Sequence, residues 1–293
     1  MRKVLLFVCL LMAGMTVNVN AAKQKAKHVI LIGMDGWGAY SVSKADIPAI
    51  KSLMTNGCYT LHSRSVLPSS SAINWASMFM GVGTELHGYT TWGSKTPEIP
   101  SREVNERGIA PTIFSVLREQ RPKAEIGCLY EWPGIKYLVD TLAMSYQYQT
   151  PGYAKAPTAL CEAAEKYIIE KKPELLAICF EEPDHTGHTK GHDTPAYYQM
   201  LKELDGYVER ILQAIKKAGI WDDTIIIMTA DHGGIKTGHG GKTLREMEIP
   251  FIISGKNVRK GMEIKESMMQ YDTAAMIAYI PVSYTHLTLP TIA

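Results

Sequence analysis

The chain has 293 residues, with 31 basic and 29 acidic side chains, a formal charge of +2 and 46% hydrophobic residues. That length and apolar content suit one large domain, and the near-even charge gives no electrostatic basis for binding long nucleic acid or an anionic membrane surface. Five cysteines without CxxC spacing argue against a thiol-based metal or redox motif.

Met1-Arg2-Lys3, the apolar run Val4 to Met15 and Val19-Asn20-Ala21 form the pattern of a secretory leader over residues 1–21. Its removal, which takes Arg2 and Lys3, leaves the two signs equal and no stable membrane insertion. A secreted or periplasmic location is expected. Strands are predicted at His28 to Ile32, Tyr59 to Val66, Ala124 to Tyr130, Leu175 to Phe180, Thr224 to Ala230 and Ile249 to Ser254. Between them, helices are predicted at Ile47 to Met54, Ala72 to Met80, Thr112 to Glu119, Thr158 to Lys171 and Pro195 to Lys217. This alternation predicts a single α/β domain over residues 22–280, with a mostly parallel central sheet flanked by helices. The stretches from Thr91 to Pro111 and from Tyr146 to Tyr153 are the expected loops over a site. From Pro281 to Leu287 the sequence resembles the translation of a transposon-end adapter used in short-read sequencing. Residues 282–293 are therefore expected to be an artefactual tail on a C-terminally truncated chain, and His286 is not counted as a site residue.

Six potential metal ligands follow apolar runs: Asp35 after Ile30 to Ile32, Asp184 and His188 after Leu175 to Phe180, and Asp231, His232 and His239 after Thr224 to Met228. In an open parallel sheet, residues just beyond the carboxyl ends of strands meet in one crevice. Three carboxylates and three imidazoles suit a pair of divalent ions, zinc first. Pro68-Ser69-Ser70-Ser71 opens a predicted helix, where backbone N–H groups favour an anion. Ser71, three residues before Asn74, reads as a nucleophile with an amide donor beside it; Ser69 and Ser70 are rivals, and a plain N-cap serine is the bland reading. His192, Lys242 and Trp75 are candidate substrate contacts. Trp37, Tyr89, Trp92 and Tyr153 are further aromatic candidates for stacking a base or aryl group.

Taken in order, Gly33-Met34-Asp35-Gly36, Pro68 to Trp75, His87-Gly88, Glu182-Pro183-Asp184 with Gly187-His188, and Ala230-Asp231-His232-Gly233 resemble the alkaline phosphatase superfamily. Within it they are most similar to the type I phosphodiesterase/nucleotide pyrophosphatase branch. The resemblance spans His28 to Ser254. It implies one zinc held by Asp35, Asp231 and His232, a second held by Asp184, His188 and His239, and a Ser71 hydroxyl that meets the first zinc and attacks phosphorus. Two departures stand out. The branch's usual Pro and His around the Asn are Ile73 and Trp75 here, and its third histidine comes much later than His239.

The implied activity is two-metal hydrolysis of a small-molecule phosphate ester through a covalent phosphoserine. A phosphomonoesterase of the same superfamily is the nearest alternative; it calls for an extra cation such as Lys236, Lys242 or Arg245 at the phosphoryl oxygens. Sulfate esters rank lower, because no C/S-x-P-x-R string surrounds Ser71. A secreted zinc-binding protein without catalysis is the alternative from another class, and it has no use for Ser71.

Overall fold

The computed structural model describes residues 25–152 and 157–280. The predicted leader, Tyr153 and the segment from Val282 onward lie outside the described residues. At the centre is β1, His28–Met34, an apolar run buried on both faces. Successive side chains on a strand point to opposite faces. Accordingly Val29 and Leu31 enter one core, while Ile30, Ile32 and Met34 enter the other.

Seven further strands complete the sheet: β2 Gly57–Arg64, β3 Ile126–Tyr130, β4 Tyr146–Gln149, β5 Leu175–Phe180, β6 Thr224–Thr229, β7 Glu248–Gly255 and β8 Met262–Glu263. Their spatial order is β4-β3-β5-β1-β6-β7-β2-β8, and only β7 runs antiparallel to its neighbours. One face carries α2 (Ser71–Met80), α3 (Ile113–Gln120) and α7 (Asp272–Tyr279); the other carries α1 (Pro48–Thr55), α4 (Pro157–Lys171) and α6 (Pro195–Lys217). Helix α6 illustrates the logic. Thr194 caps its start, Pro195 sits at its first position, and Leu201, Leu204, Val208, Ile211, Leu212 and Ile215 bury its apolar stripe.

This is the predicted α/β architecture, with two corrections to the loops. The Tyr146 to Tyr153 stretch opens with β4, an edge strand beside β3, where the Tyr146 ring lies 4.8 Å from that of Tyr167. A four-residue Tyr-Gln-Tyr-Gln strand that stays largely exposed has too little apolar alternation to read as one. The Thr91 to Pro111 stretch is irregular, as expected. However, its Arg102, Glu103 and Ala110 line an apolar cavity of about 300 Å³ with Phe79 and Met80, at the end of α2 remote from Ser71. No helix among the described residues is long and apolar enough to cross a membrane. All four described cysteines, Cys58, Cys128, Cys161 and Cys179, are free and buried.

Candidate metal centre

Strands β5, β1 and β6 are adjacent and parallel, so the residues after their carboxyl ends converge. Asp35 follows β1, and its N–H donates to Phe180 O at 2.9 Å, prolonging the ladder to β5 by one step. Asp231 lies two residues past β6; its Oδ1 accepts from the backbone N–H groups of Gly36 at 3.1 Å and His232 at 2.8 Å. Gly36 is required here twice over. Its φ of +68° is left-handed, and an added Cβ would stand 2.6 Å from the Asp184 side chain. Asp184 opens a short helix, α5 (Asp184–Lys190), which brings His188 onto the same side one turn later.

Two groups of ligand atoms each lie within 4.8 Å of one another: Asp35, Asp231 and His232, and Asp184, His232 and His239. The first is the expected trio. In the second, His232 stands where His188 was expected, because the His239 ring stacks on His232 with centroids 3.7 Å apart. His188 still reaches Asp184, with Nε2 3.1 Å from Oδ2, while His239 Nε2 is 3.8 Å from the same oxygen.

Histidine tautomers follow from backbone carbonyls, which can only accept. Nδ1–H of His232 donates to Gly233 O at 2.8 Å, that of His188 to Thr237 O at 2.9 Å, and that of His239 to Ser69 O at 3.0 Å. Each Nε2 lone pair is thereby turned toward the carboxylates, which is how ligating histidines are oriented. His232 Nε2 lies 3.4 Å from Asp35 Oδ1 and 3.3 Å from Asp231 Oδ2. Between neutral His232 and these two carboxylates, acceptor faces acceptor. Asp35 Oδ1, Asp184 Oδ1 and Asp231 Oδ2 are buried with no hydrogen-bond partner. Buried carboxylate oxygens left in this way cost several kcal/mol each unless a cation joins them. The donor set therefore fits a pair of divalent ions.

The protonation pattern agrees. Burial, with Asp231 and Asp184 nearby, raises Asp35 well above the usual carboxylate range, and burial raises Asp231 to about 7. Burial would also raise Asp184, but the imidazoles of His188 and His192 that face it, with those of His232 and His239 nearby, overcome it and hold its pKa low. The partnership with Asp184 lifts His188 to about 9. Burial beside His232 depresses His239 to about 4, and burial also lowers His232.

Ser71 is the first residue of α2, with its Oγ 3.2 Å from His232 Nε2. Of the two rivals, Ser69 donates its hydroxyl to Gly241 O at 2.6 Å, and Ser70 is the N-cap residue. Asn74 is placed differently from expectation. Its Oδ1 accepts from Val66 N at 2.7 Å, and its Nδ2 donates to the carbonyls of Val66, Pro68 and Ser70. Helical side chains point back toward the N-terminus, so this amide shapes the serine loop and has no donor left for a phosphoryl oxygen.

Trp75 is likewise not a substrate contact. It is 1% exposed, stacks on Phe79, and donates Nε1–H to Asp35 Oδ2 at 3.1 Å. Its ring occupies the space above Gly33, where a Cβ would come within 2.3 Å of it. The sequence holds a faint signal of this, the glycine breaking an otherwise branched β1. Trp37 and Tyr89 are buried core residues, while Trp92 is 59% exposed. His192, expected as a substrate contact, has a side chain 0% exposed that lies against Asp184. Lys242 is exposed on the loop that carries His239. Arg245, one of the cations considered for a monoester, is paired with Asp193 and lies over the Tyr40 ring. His87 serves the fold, hydrogen-bonded to Ser77 and to the Tyr89 N–H.

A model of the family described as type I phosphodiesterase / nucleotide pyrophosphatase matches residues 29–272. Mouse bis(5'-adenosyl)-triphosphatase enpp4 is 24% identical over 226 residues, which is 73% of this chain and 48% of that protein. Mouse ectonucleotide pyrophosphatase/phosphodiesterase family member 3 is 26% identical over 219 residues, 70% of this chain and 24% of its own. The chain thus spans half or less of the length of these relatives. Among solved structures, murine ectonucleotide pyrophosphatase/phosphodiesterase 5 has a TM-score of 0.71 at 18% identity, covering 88% of this chain and 95% of that one. A 2-O GAG sulfatase has a TM-score of 0.67 at 15% identity, covering 89% and 72%. At those identities the structural likeness speaks for the fold; the family match, over most of the chain, speaks for descent. The chain belongs to the type I phosphodiesterase/nucleotide pyrophosphatase family.

Proposed function

We propose that the chain is a secreted hydrolase of phosphoric diesters or nucleotide pyrophosphates that acts through a covalent phosphoserine at Ser71. One observation carries this reading: a hydroxyl at a helix N-terminus stands 3.2 Å from His232 Nε2, among carboxylate oxygens that lack hydrogen-bond partners. A binding protein needs no such hydroxyl. Two divalent ions, zinc foremost, held by Asp35, Asp231 and His232 and by Asp184, His188 and His239, would supply the charge that lets Ser71 ionise near neutral pH and that neutralises phosphoryl oxygens.

The chain's own groups do the rest. Ser71 Oγ gives up its proton to solvent and forms a bond to phosphorus as the bond to the leaving oxygen breaks on the opposite side, and that oxygen takes a proton from water. Water then cleaves the Ser71 phosphoester and returns the hydroxyl. The first-turn amides of Ala72 and Ile73 have no intrahelical acceptor, and with the dipole of α2 they favour negative charge beside Ser71. Asn74 and Trp75 hold the serine loop and Asp35 in register. The leader pattern of residues 1–21 supports secretion, and Lys242 remains a candidate for the outer phosphoryl oxygens.

The test is a panel of aryl phosphodiester, dinucleoside polyphosphate, aryl phosphomonoester and aryl sulfate, run on the zinc-loaded protein. Preference for the first two is expected. Preference for the monoester would move the assignment to a phosphomonoesterase, and no turnover of any ester would leave a zinc-binding protein.

A further inference from the structure

The metal reading leaves one buried imidazole unexplained. His192 lies just after α5, its side chain 0% exposed, with Nε2 3.4 Å from Asp184 Oδ1. Two glycines make room for it. A Cβ on Gly187 would lie 2.3 Å from His192 Cε1 and Nε2, and one on Gly234 would lie 2.2 Å from Nε2, so any other residue at either position displaces the ring. The ring is also pinned from behind. The His192 backbone N–H donates to Lys236 O at 2.6 Å, and Nδ1 faces the same carbonyl at 3.3 Å. A carbonyl only accepts, so Nδ1 carries the hydrogen and Nε2 presents a lone pair. Both atoms of the facing pair, His192 Nε2 and Asp184 Oδ1, are buried without a hydrogen-bond partner.

That is the arrangement of the other three site histidines: Nδ1–H on a backbone carbonyl, Nε2 toward a carboxylate. Two donors about 2.0–2.1 Å from one tetrahedral zinc stand roughly 3.3 Å apart, close to the spacing found here. We infer that His192 is a further protein ligand of the Asp184 ion, approaching from the carboxylate oxygen opposite to that faced by His188 and His239. The assignment rests on the two-ion reading of the site and adds one imidazole to it.

Cobalt substitution tests it on the intact protein. Each coordinated histidine whose Nδ1–H is held by a carbonyl gives one paramagnetically shifted, exchangeable proton resonance. Four are expected, from His188, His192, His232 and His239; three, with none lost in a His192 variant, would overturn the assignment. Two variants separate ligation from mere orientation of Asp184. His192→Phe keeps a ring between the glycines, and His192→Gln keeps an N–H donor. Both should retain the fold by thermal unfolding of the metal-free protein, and both should bind the second cobalt ion more than about 100-fold more weakly, beyond the usual effect of losing an outer partner. Wild-type affinity in the Gln variant would make His192 a positioning residue and overturn the proposal. Two ions bound with unchanged affinity by both variants would overturn only the assignment of His192. A wild-type protein that takes up no cobalt removes the two-ion reading and this inference together.

Discussion

Trp75→Phe removes a single N–H from the site while leaving an aromatic ring over Gly33 and against Phe79. The lost bond, 3.1 Å from Nε1 to Asp35 Oδ2, stabilises the ionised carboxylate. Hydrogen bonds to charged groups contribute about 1.5–3 kcal/mol. Burial already raises Asp35 well above the usual range, and Trp75 is what opposes that rise, so its removal pushes Asp35 further toward the protonated form. A cation must displace that proton to bind. The expected cost is therefore a loss of about 10–100-fold in affinity for the ion at Asp35, with the Asp184 ion unaffected. The loss shrinks as pH rises and Asp35 ionises unaided. Competition titration against a zinc-chelating dye at several pH values measures this. Phe79→Leu is the control: it disturbs the same stack, with centroids 5.7 Å apart, without touching Asp35. Equal weakening in the two variants, or a Trp75→Phe deficit that does not vary with pH, would show that the indole N–H does not hold Asp35 ionised.

Other outcomes follow from the same geometry. Asp35→Ala and Asp184→Ala should each leave one zinc ion of two per chain by elemental analysis, since the carboxylates belong to different ligand groups. His87 is buried and neutral, its pKa lowered to about 4 by burial, with Nδ1 accepting from Tyr89 N–H at 3.0 Å. The unfolded chain therefore binds a proton between about pH 6.5 and 4 that the folded one refuses. The stability tied to His87 is complete above pH 6.5 and lost as pH falls through that window, to a total of about 3 kcal/mol. His87→Gln should flatten that part of the pH profile in urea unfolding; an unchanged slope would remove the residue from the account.

Much of this molecule is legible from its residues. Strands β1, β5 and β6 are buried on both faces, so they read as continuous apolar runs, and the three site aspartates stand just beyond their ends. What stayed hidden depends on neighbours distant in sequence. The indole of Trp75 meets Asp35 and Gly33, some forty residues earlier, and the imidazole of His192 is gripped by Gly234 as well as by nearby Gly187. Spacing puts Asn74 three residues after Ser71 on one helix, yet it carries no information that the amide turns back to the carbonyls of residues 66, 68 and 70. Similarly, the stacking of His239 on His232, which draws His232 into both ligand groups, is a tertiary contact with no local pattern.

If Ser71 is the nucleophile, acid-quenched mass spectrometry of the zinc-loaded protein during turnover will find the phosphoryl group on that one serine. Ser71 has its Oγ at the ligand cluster, whereas the Ser69 hydroxyl is bonded to Gly241 O. Phosphate is expected on Ser71 alone, with Ser71→Ala losing several orders of magnitude in kcat while keeping its zinc. Phosphate on Ser69 or Ser70, or no adduct together with full activity in Ser71→Ala, would mean that Ser71 is not the nucleophile.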